Sequence, residues 1–242
     1  MFMFWDPMYL IISLPAIILV FWAQWRVKSA YEKWLRIRNA RGLTGLQAAR
    51  MLLNYNNLGH ISIEGTRQLL GDHYDPRTQT IRFSPDVADS PSVASLAIVA
   101  HEIGHVAQDA ESYVPLKARN VIVPVAQIGS NLGPILVILG LVLAAYLRTP
   151  ASREFAYQVA WFGVLLFGGA LAFTLITLPV EFNASARARA MLTDAGLIYA
   201  DEMPGVRAVL DAAALTYVAA AAQALSQLLY YIMLLGGFRR RD

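Results

Sequence analysis

Residues 155–178, FAYQVAWFGVLLFGGALAFTLITL, run for 24 residues without a charged side chain. A helix of that length reaches about 36 Å, more than the ~30 Å hydrocarbon layer of a bilayer. In water so long an apolar run would lack a partner surface. It therefore dictates a membrane-spanning helix, and the rest of the chain has to be organised around it. Residues 9–25 (YLIISLPAIILVFWAQW) form a shorter segment near the lower limit for a span, with Trp5, Trp22 and Trp25 where interfacial aromatics belong. It lacks a basic leading region and a small-x-small cleavage site, which marks an uncleaved anchor. Residues 121–147 are interrupted by Pro124, Gln127, Ser130, Asn131 and Pro134 before the almost purely apolar stretch Ile135–Leu147. The interrupted half either faces protein or a wet cavity or is simply irregular, and Gly129-x-x-x-Gly133 permits close helix packing. The fourth segment, about 212–235, is Ala-rich and carries Gln223, Ser226 and Gln227; it reads as a span, or as an amphipathic helix packed on the others. The chain is 57% hydrophobic and 15% charged, which fits a mostly α membrane protein with about four transmembrane helices and one modest folded domain.

Basic residues near the span ends set the orientation. Arg26, Lys28, Lys33, Arg36, Arg38 and Arg41 follow the first span, and Arg187, Arg189 and Arg207 lie in 179–211, whereas the short connection 148–154 has only Arg148 and Arg153. The two large connections therefore belong in the cytoplasm and the N-terminus outside. Four spans then put Arg239–Arg241 outside, against the rule, which weighs on the fourth span more than on the cytoplasmic domain. The resulting organisation is an N-terminal transmembrane anchor (1–25), a cytoplasmic α+β domain (26–120), a transmembrane hairpin (121–178), a cytoplasmic segment (179–211) and a C-terminal transmembrane or membrane-packed helix with a basic tail (212–242). Basic loops account for the net charge of +3, so the expected partner is the lipid bilayer and no nucleic acid.

Within 26–120, Thr44 caps a helix predicted to run to about Asn57, with Gly59 just past its end. His60–Glu64 alternates like a strand, and Asp72–Tyr74, the turn Asp75-Pro76-Arg77 and Thr80–Phe83 read as a hairpin. A strand at a sheet edge can pair with an extended peptide, or the hairpin only supports the helix that follows. That helix starts at the Ser90-Pro91 signal, with Val93, Leu96, Ala97, Ala100, Ile103 and Gly104 at helical spacing. It carries His101-Glu102-Ile103-Gly104-His105, an H-E-x-x-H motif that uses two of the four His in the chain. On a helix, i and i+4 share one face, so two imidazoles can bind one metal ion while the intervening Glu reaches a water beside it. Gly104 is a poor helix former, and a small residue there suits close packing against another segment.

A catalytic zinc usually has three protein ligands and an open position. The chain has no Cys, which removes thiolate ligands, disulfides and Cys nucleophiles together, so a carboxylate is expected. Asp109 lies a further turn along the helix, about 6 Å away, and reads better as an acceptor for an imidazole N–H than as a ligand. Glu111 points elsewhere on the helix wheel. His60 and His73 read as ordinary hydrogen-bonded histidines, the alternative for His73 being contact with substrate or metal. Glu181, directly after the third span at the expected start of a new helix, either compensates a helix dipole or completes the metal site.

The H-E-x-x-H, a distant Glu on a second helix and flanking spans resemble the gluzincin metallopeptidases. More closely, the chain resembles the neutral zinc metallopeptidase family of bacterial membrane proteins, the YugP type. The resembling stretches are His73–Arg77, Ala100–His105, Pro179–Ser185 and Ala213–Ala220, which appear in the family's order and span most of the chain. The resemblance implies a small gluzincin-like α+β zinc-peptidase domain and one Zn2+ per chain held by His101, His105 and Glu181, with Glu102 as catalytic base. It also implies a membrane-bound peptidase of the bacterial inner (cytoplasmic) membrane but little about substrate; the multi-pass topology and an active site facing the cytoplasm follow from the spans and basic residues, and the expected substrates are peptides or membrane proteins. Tyr217, about one turn into the fourth apolar segment, is the candidate for a second oxyanion donor, or else an interfacial belt tyrosine.

Two rival functions are open to such a sequence. Intramembrane proteolysis is disfavoured because the apolar run Val93–Ala100 before the motif is far shorter than the roughly 20 residues of a span. A non-enzymatic membrane scaffold or holdase with a structural zinc site is disfavoured because structural sites are usually closed by four protein ligands, often Cys.

Overall fold

The computed structural model describes residues 7–67 and 71–239, with backbone alone at 238 and 239. Trp5, Arg240 and Arg241, which entered the reading of the interface and the basic tail, lie outside the described residues. In chain order the elements are α1 (Pro7–Leu35), α2 (Gly45–Tyr55), β1 (Ser62–Gly65), β2 (His73–Asp75), β3 (Thr80–Phe83), α3 (Pro85–Ala88), α4 (Val93–Ala110), α5 (Val114–Tyr146), α6 (Pro150–Asp194) and α7 (Met203–Arg239). The protein is a mostly α membrane protein with a small α+β part. Its chain divides into two compact units, one of Met1–Phe21, Ala118–Thr177 and Tyr217–Asp242, the other of Trp22–Lys117 and Leu178–Thr216.

The first unit holds the apolar parts of four helices, α1, α5, α6 and α7, each long and apolar enough to cross a membrane. Small residues let two of them meet at backbone distance. A Cβ on Gly133 would lie 2.9 Å from the Gly163 carbonyl oxygen, and one on Gly163 would lie 2.6 Å from that of Gly133. Tyr9 meets Tyr230 edge-on at 5.0 Å, and the Ser226 hydroxyl donates to the Ile12 carbonyl at 2.9 Å. The predicted fourth segment is thus one long helix tied to α1 by a hydrogen bond between them.

The second unit is built around α4. Thirteen of its eighteen residues are buried, among them Leu96, Val99, Ile103 and Val106, so any polar side chain on it has to find a partner inside the protein. The three-stranded sheet has the order β1-β3-β2, with β1 parallel and β2 antiparallel to β3, in the registers Ile63↔Ile81 and Tyr74↔Ile81. The predicted hairpin is β2–β3, and Ile81 and Phe83 are both buried. Thr44 caps α2 in a reciprocal capping box with Gln47, as its position predicts; the helix is terminated by Asn57 in the left-handed region (φ 58°), ahead of Gly59.

Two local expectations are corrected. The helix carrying the motif is capped by Ser92, whose Oγ accepts the Ser95 N–H at 3.1 Å, and not at Ser90. Ser90 and Pro91 instead give their carbonyls to the N–H groups of Gly45 and Asn39. Glu181 does not begin a new helix: α6 runs unbroken for 45 residues through Pro179, about 68 Å. Pro179 withdraws one N–H from the ladder without ending it, and a helix-dipole role for Glu181 disappears with the missing terminus.

The approach of α4 to α6 is set at Gly104. A Cβ there would stand 2.6 Å from the Ala184 carbonyl oxygen and 3.2 Å from the Ala184 Cα. Gly104→Ala gains about 1 kcal/mol of helix propensity but meets backbone that cannot rotate away, and overpacking of this kind costs about 1–3 kcal/mol. The expected outcome is a lower thermal midpoint for the detergent-solubilised protein, and an unchanged or raised midpoint would contradict the contact.

Candidate metal centre

His101 and His105 stand one turn apart on α4, with ring centroids 4.8 Å apart and planes nearly perpendicular (84°). Both rings are turned towards α6. His101 Nε2 lies 3.2 Å and His105 Nε2 3.6 Å from the same carboxylate oxygen, Glu181 Oε2. One donor atom from each of the three residues falls within 4.8 Å of the others, so the group could hold a metal ion. All three belong to the second unit. The sequence separation of 80 residues between His101 and Glu181 is closed by the Gly104–Ala184 contact, since Ala184 is one turn beyond Glu181 on α6.

The opposite ring nitrogens are also engaged. His101 Nδ1 faces the Ser185 hydroxyl at 3.2 Å, and His105 Nδ1 faces Gln108 Oε1 at 3.0 Å. Gln108 Nε2 donates to the Val180 carbonyl at 2.8 Å and to Asn183 Oδ1 at 3.0 Å. Arg187 donates from Nε to Asn183 Oδ1 and grips both carboxylate oxygens of Glu111 at 2.8 and 2.6 Å. This leaves each imidazole with Nδ1 held by a polar side chain and Nε2 presented to the carboxylate.

Charge supports the same fit. Glu181 is only 3% exposed, and a buried carboxylate is costly unless a cation or strong donors stand beside it. Burial pushes its pKa up, but hydrogen bonds from His101 and His105 outweigh burial and hold the carboxyl well below the usual range. Burial likewise lowers His105, and the hydrogen bond to Glu181 with the negative charges of Glu102 and Glu181 reverses this, leaving its pKa above the ordinary imidazole value. With the Nε2 protons displaced, two imidazole nitrogens and one ionised oxygen match the donor set of a catalytic zinc site, in which the fourth position is taken by water or substrate.

Glu102 is buried (8% exposed), and its Oε2 accepts the backbone N–H of Tyr74 at 2.9 Å. Burial pushes its carboxyl up, partly offset by the two neighbouring imidazoles. The Tyr74 hydroxyl donates to Asp109 Oδ2 at 2.9 Å. Asp109 is therefore not the imidazole acceptor expected from sequence. Gln108, one residue earlier, takes that place, while Asp109 is engaged by the Tyr74 hydroxyl of β2. His73 is an ordinary histidine, its Nδ1 2.7 Å from the Gly71 carbonyl, and His60 is exposed in the turn before β1. Tyr217 lies on α7, in the first unit. Ser185 and Asn183 carried no role in the sequence reading. Ser185 could have been found at i+4 from Glu181, while the Tyr74 N–H is a backbone group with no sequence signal.

The family described as "Putative neutral zinc metallopeptidase" matches residues 9–236. The protein named "Putative membrane protease YugP" from Bacillus subtilis (strain 168) is 39% identical over 227 residues, covering 94% of this chain and 96% of that protein. No solved structure matches the chain. With nearly its whole length matched, the chain belongs to the neutral zinc metallopeptidase family.

Proposed function

We propose that the protein is a membrane-bound zinc metalloendopeptidase that hydrolyses peptide bonds of protein or peptide substrates at the cytoplasmic surface of the bacterial cytoplasmic membrane. The observation that carries this reading is the convergence of His101, His105 and Glu181 within 4.8 Å, with Glu102 buried on the same helix turn. His101, His105 and Glu181 are the ligands of one zinc ion, and Glu102 is the general base. A zinc ion, when bound there, supplies Lewis acidity that activates water near neutral pH and polarises a carbonyl.

The rest is the work of the chain's own groups. Glu102 takes the proton of the attacking water onto its carboxylate and delivers it to the departing amine. The Tyr74 N–H anchors one of its oxygens and limits the rotation of the acid. Burial raises the Glu102 pKa, which brings the carboxyl closer to the operating pH, where a proton shuttle is most effective. Ser185 and Gln108 hold the two rings so that Nε2 of each faces Glu181. The basic loops support the cytoplasmic surface, and Glu181 lies three residues beyond the last residue of the apolar run. Helix α4 is not among the four helices suited to crossing a membrane.

Purified full-length protein in detergent, offered a mixed peptide library with and without chelator, tests the activity. Glu102→Gln is expected to keep zinc and to lower kcat by about 10²–10⁴. Glu181→Ala is expected to lose zinc by more than the roughly 10–100-fold typical of an outer-shell partner. Persistent cleavage in the first, or full zinc content in the second, would refute the assignment. Tyr217→Phe separates the two readings of that residue: an oxyanion donor predicts a fall in kcat of about 10²–10³ with zinc retained, a belt tyrosine predicts none.

Zinc affinity has a pH dependence with a definite sign. Protons compete with the metal for His105 Nε2, and a raised pKa lets the proton win at higher pH. Affinity is therefore expected to be full in mildly alkaline solution and to weaken as pH falls, starting above the imidazole's usual value of about 6.5. Zinc titrations from about pH 8 down to about pH 5 check this, and a flat profile would contradict it.

A further inference from the structure

Gln108 is completely buried, so both its N–H groups and its oxygen have to be satisfied inside the protein. Three groups decide which way round its amide lies. The Val180 carbonyl, 2.8 Å from Nε2, can only accept. Asn183 presents its oxygen and not its NH2, because the same atom accepts the Arg187 Nε–H at 2.8 Å and a guanidinium can only donate. Arg187 is itself fixed by its two-pronged pairing with Glu111. With both N–H bonds turned to α6, the oxygen is the atom that faces His105 Nδ1 at 3.0 Å.

An amide oxygen has no proton to give. His105 Nδ1 must therefore carry a proton, so the proton that gives way to a metal is the one on Nε2, the nitrogen that faces Glu181. His101 differs: its Nδ1 partner is the Ser185 hydroxyl, which donates or accepts as required. Only one of the two rings has its tautomer dictated. We propose that Gln108 is a positioning residue that presets the metal-binding tautomer of His105, with Asn183 and Arg187 acting through it by fixing the orientation of its amide.

The inference rests on the reading of His105 as a zinc ligand, and the experiment keeps the two apart. Metal-stripped full-length protein in detergent is titrated with zinc against a chromogenic chelator. Gln108→Leu removes the acceptor at similar volume and is expected to weaken zinc binding about 10–100-fold. A Gln108 that merely packs would lower the thermal midpoint and leave the zinc dissociation constant unchanged; that result overturns the proposal. His105→Ala serves as the reference. If it does not weaken zinc binding, the ligand reading fails and the proposal with it. If it does and Gln108→Leu matches the unsubstituted protein, only the role of Gln108 fails. Should Gln108→Leu not fold, the unsubstituted protein decides. In ¹⁵N-histidine-labelled, zinc-loaded protein the proposal requires a His105 Nδ1–H protected from exchange with water. Rapid exchange there, or coordination through Nδ1, overturns it.

Discussion

At Gly104 two helices touch backbone to backbone, and the meeting of the α4 imidazoles with the α6 carboxylate depends on that contact. Packed helices normally stand 8–10 Å apart because side chains separate them. Here the missing Cβ lets the α4 backbone settle against the Ala184 carbonyl, and the rings on either side of Gly104 come within reach of a carboxylate on the facing helix. The residue that weakens the helix in isolation is the one that lets it meet its partner. The cost in propensity is local, about 1 kcal/mol, whereas the gain is the assembly of a site from segments 80 residues apart.

The same closeness creates an electrostatic demand. Glu102 and Glu181 are both buried, and neither would remain so without partners. Glu181 has two imidazoles, and Glu102 has a backbone N–H and the field of the same two rings. Behind them a relay of hydrogen bonds runs through Gln108, Asn183 and Arg187 to the exposed carboxylate of Glu111. The outermost ion pair alone would contribute little at the surface. Its effect lies in orientation, since it removes the freedom of each inner group to turn over.

Much of this was legible in the sequence because the signals were periodic or strongly patterned. The apolar runs, the capping box at Thr44, the β2–β3 hairpin and the pair of imidazoles one turn apart all rest on local spacing. Glu181 was reached by its place after a span together with a family resemblance; spacing alone left it balanced against a dipole role that the unbroken α6 has since removed. The cap of α4 was misplaced by two residues because Ser90-Pro91 has the right chemistry for a helix start but is held by the loop after α1. The sequence points to Asp109 because a carboxylate is a common partner of a metal-bound histidine, and it gives no signal for Gln108. The deciding fact is tertiary: β2 brings the Tyr74 hydroxyl to Asp109, and Gln108 faces the ring instead.

Strand β2 lies at one edge of the sheet, where an extended chain would look for rungs to pair with. The outward amide of Tyr74 is one such rung, and it is already taken by the acid on the neighbouring helix. A visiting peptide that claimed this rung would have to pull it away from Glu102, so seating the guest at that position and freeing the carboxyl to swing are the same event.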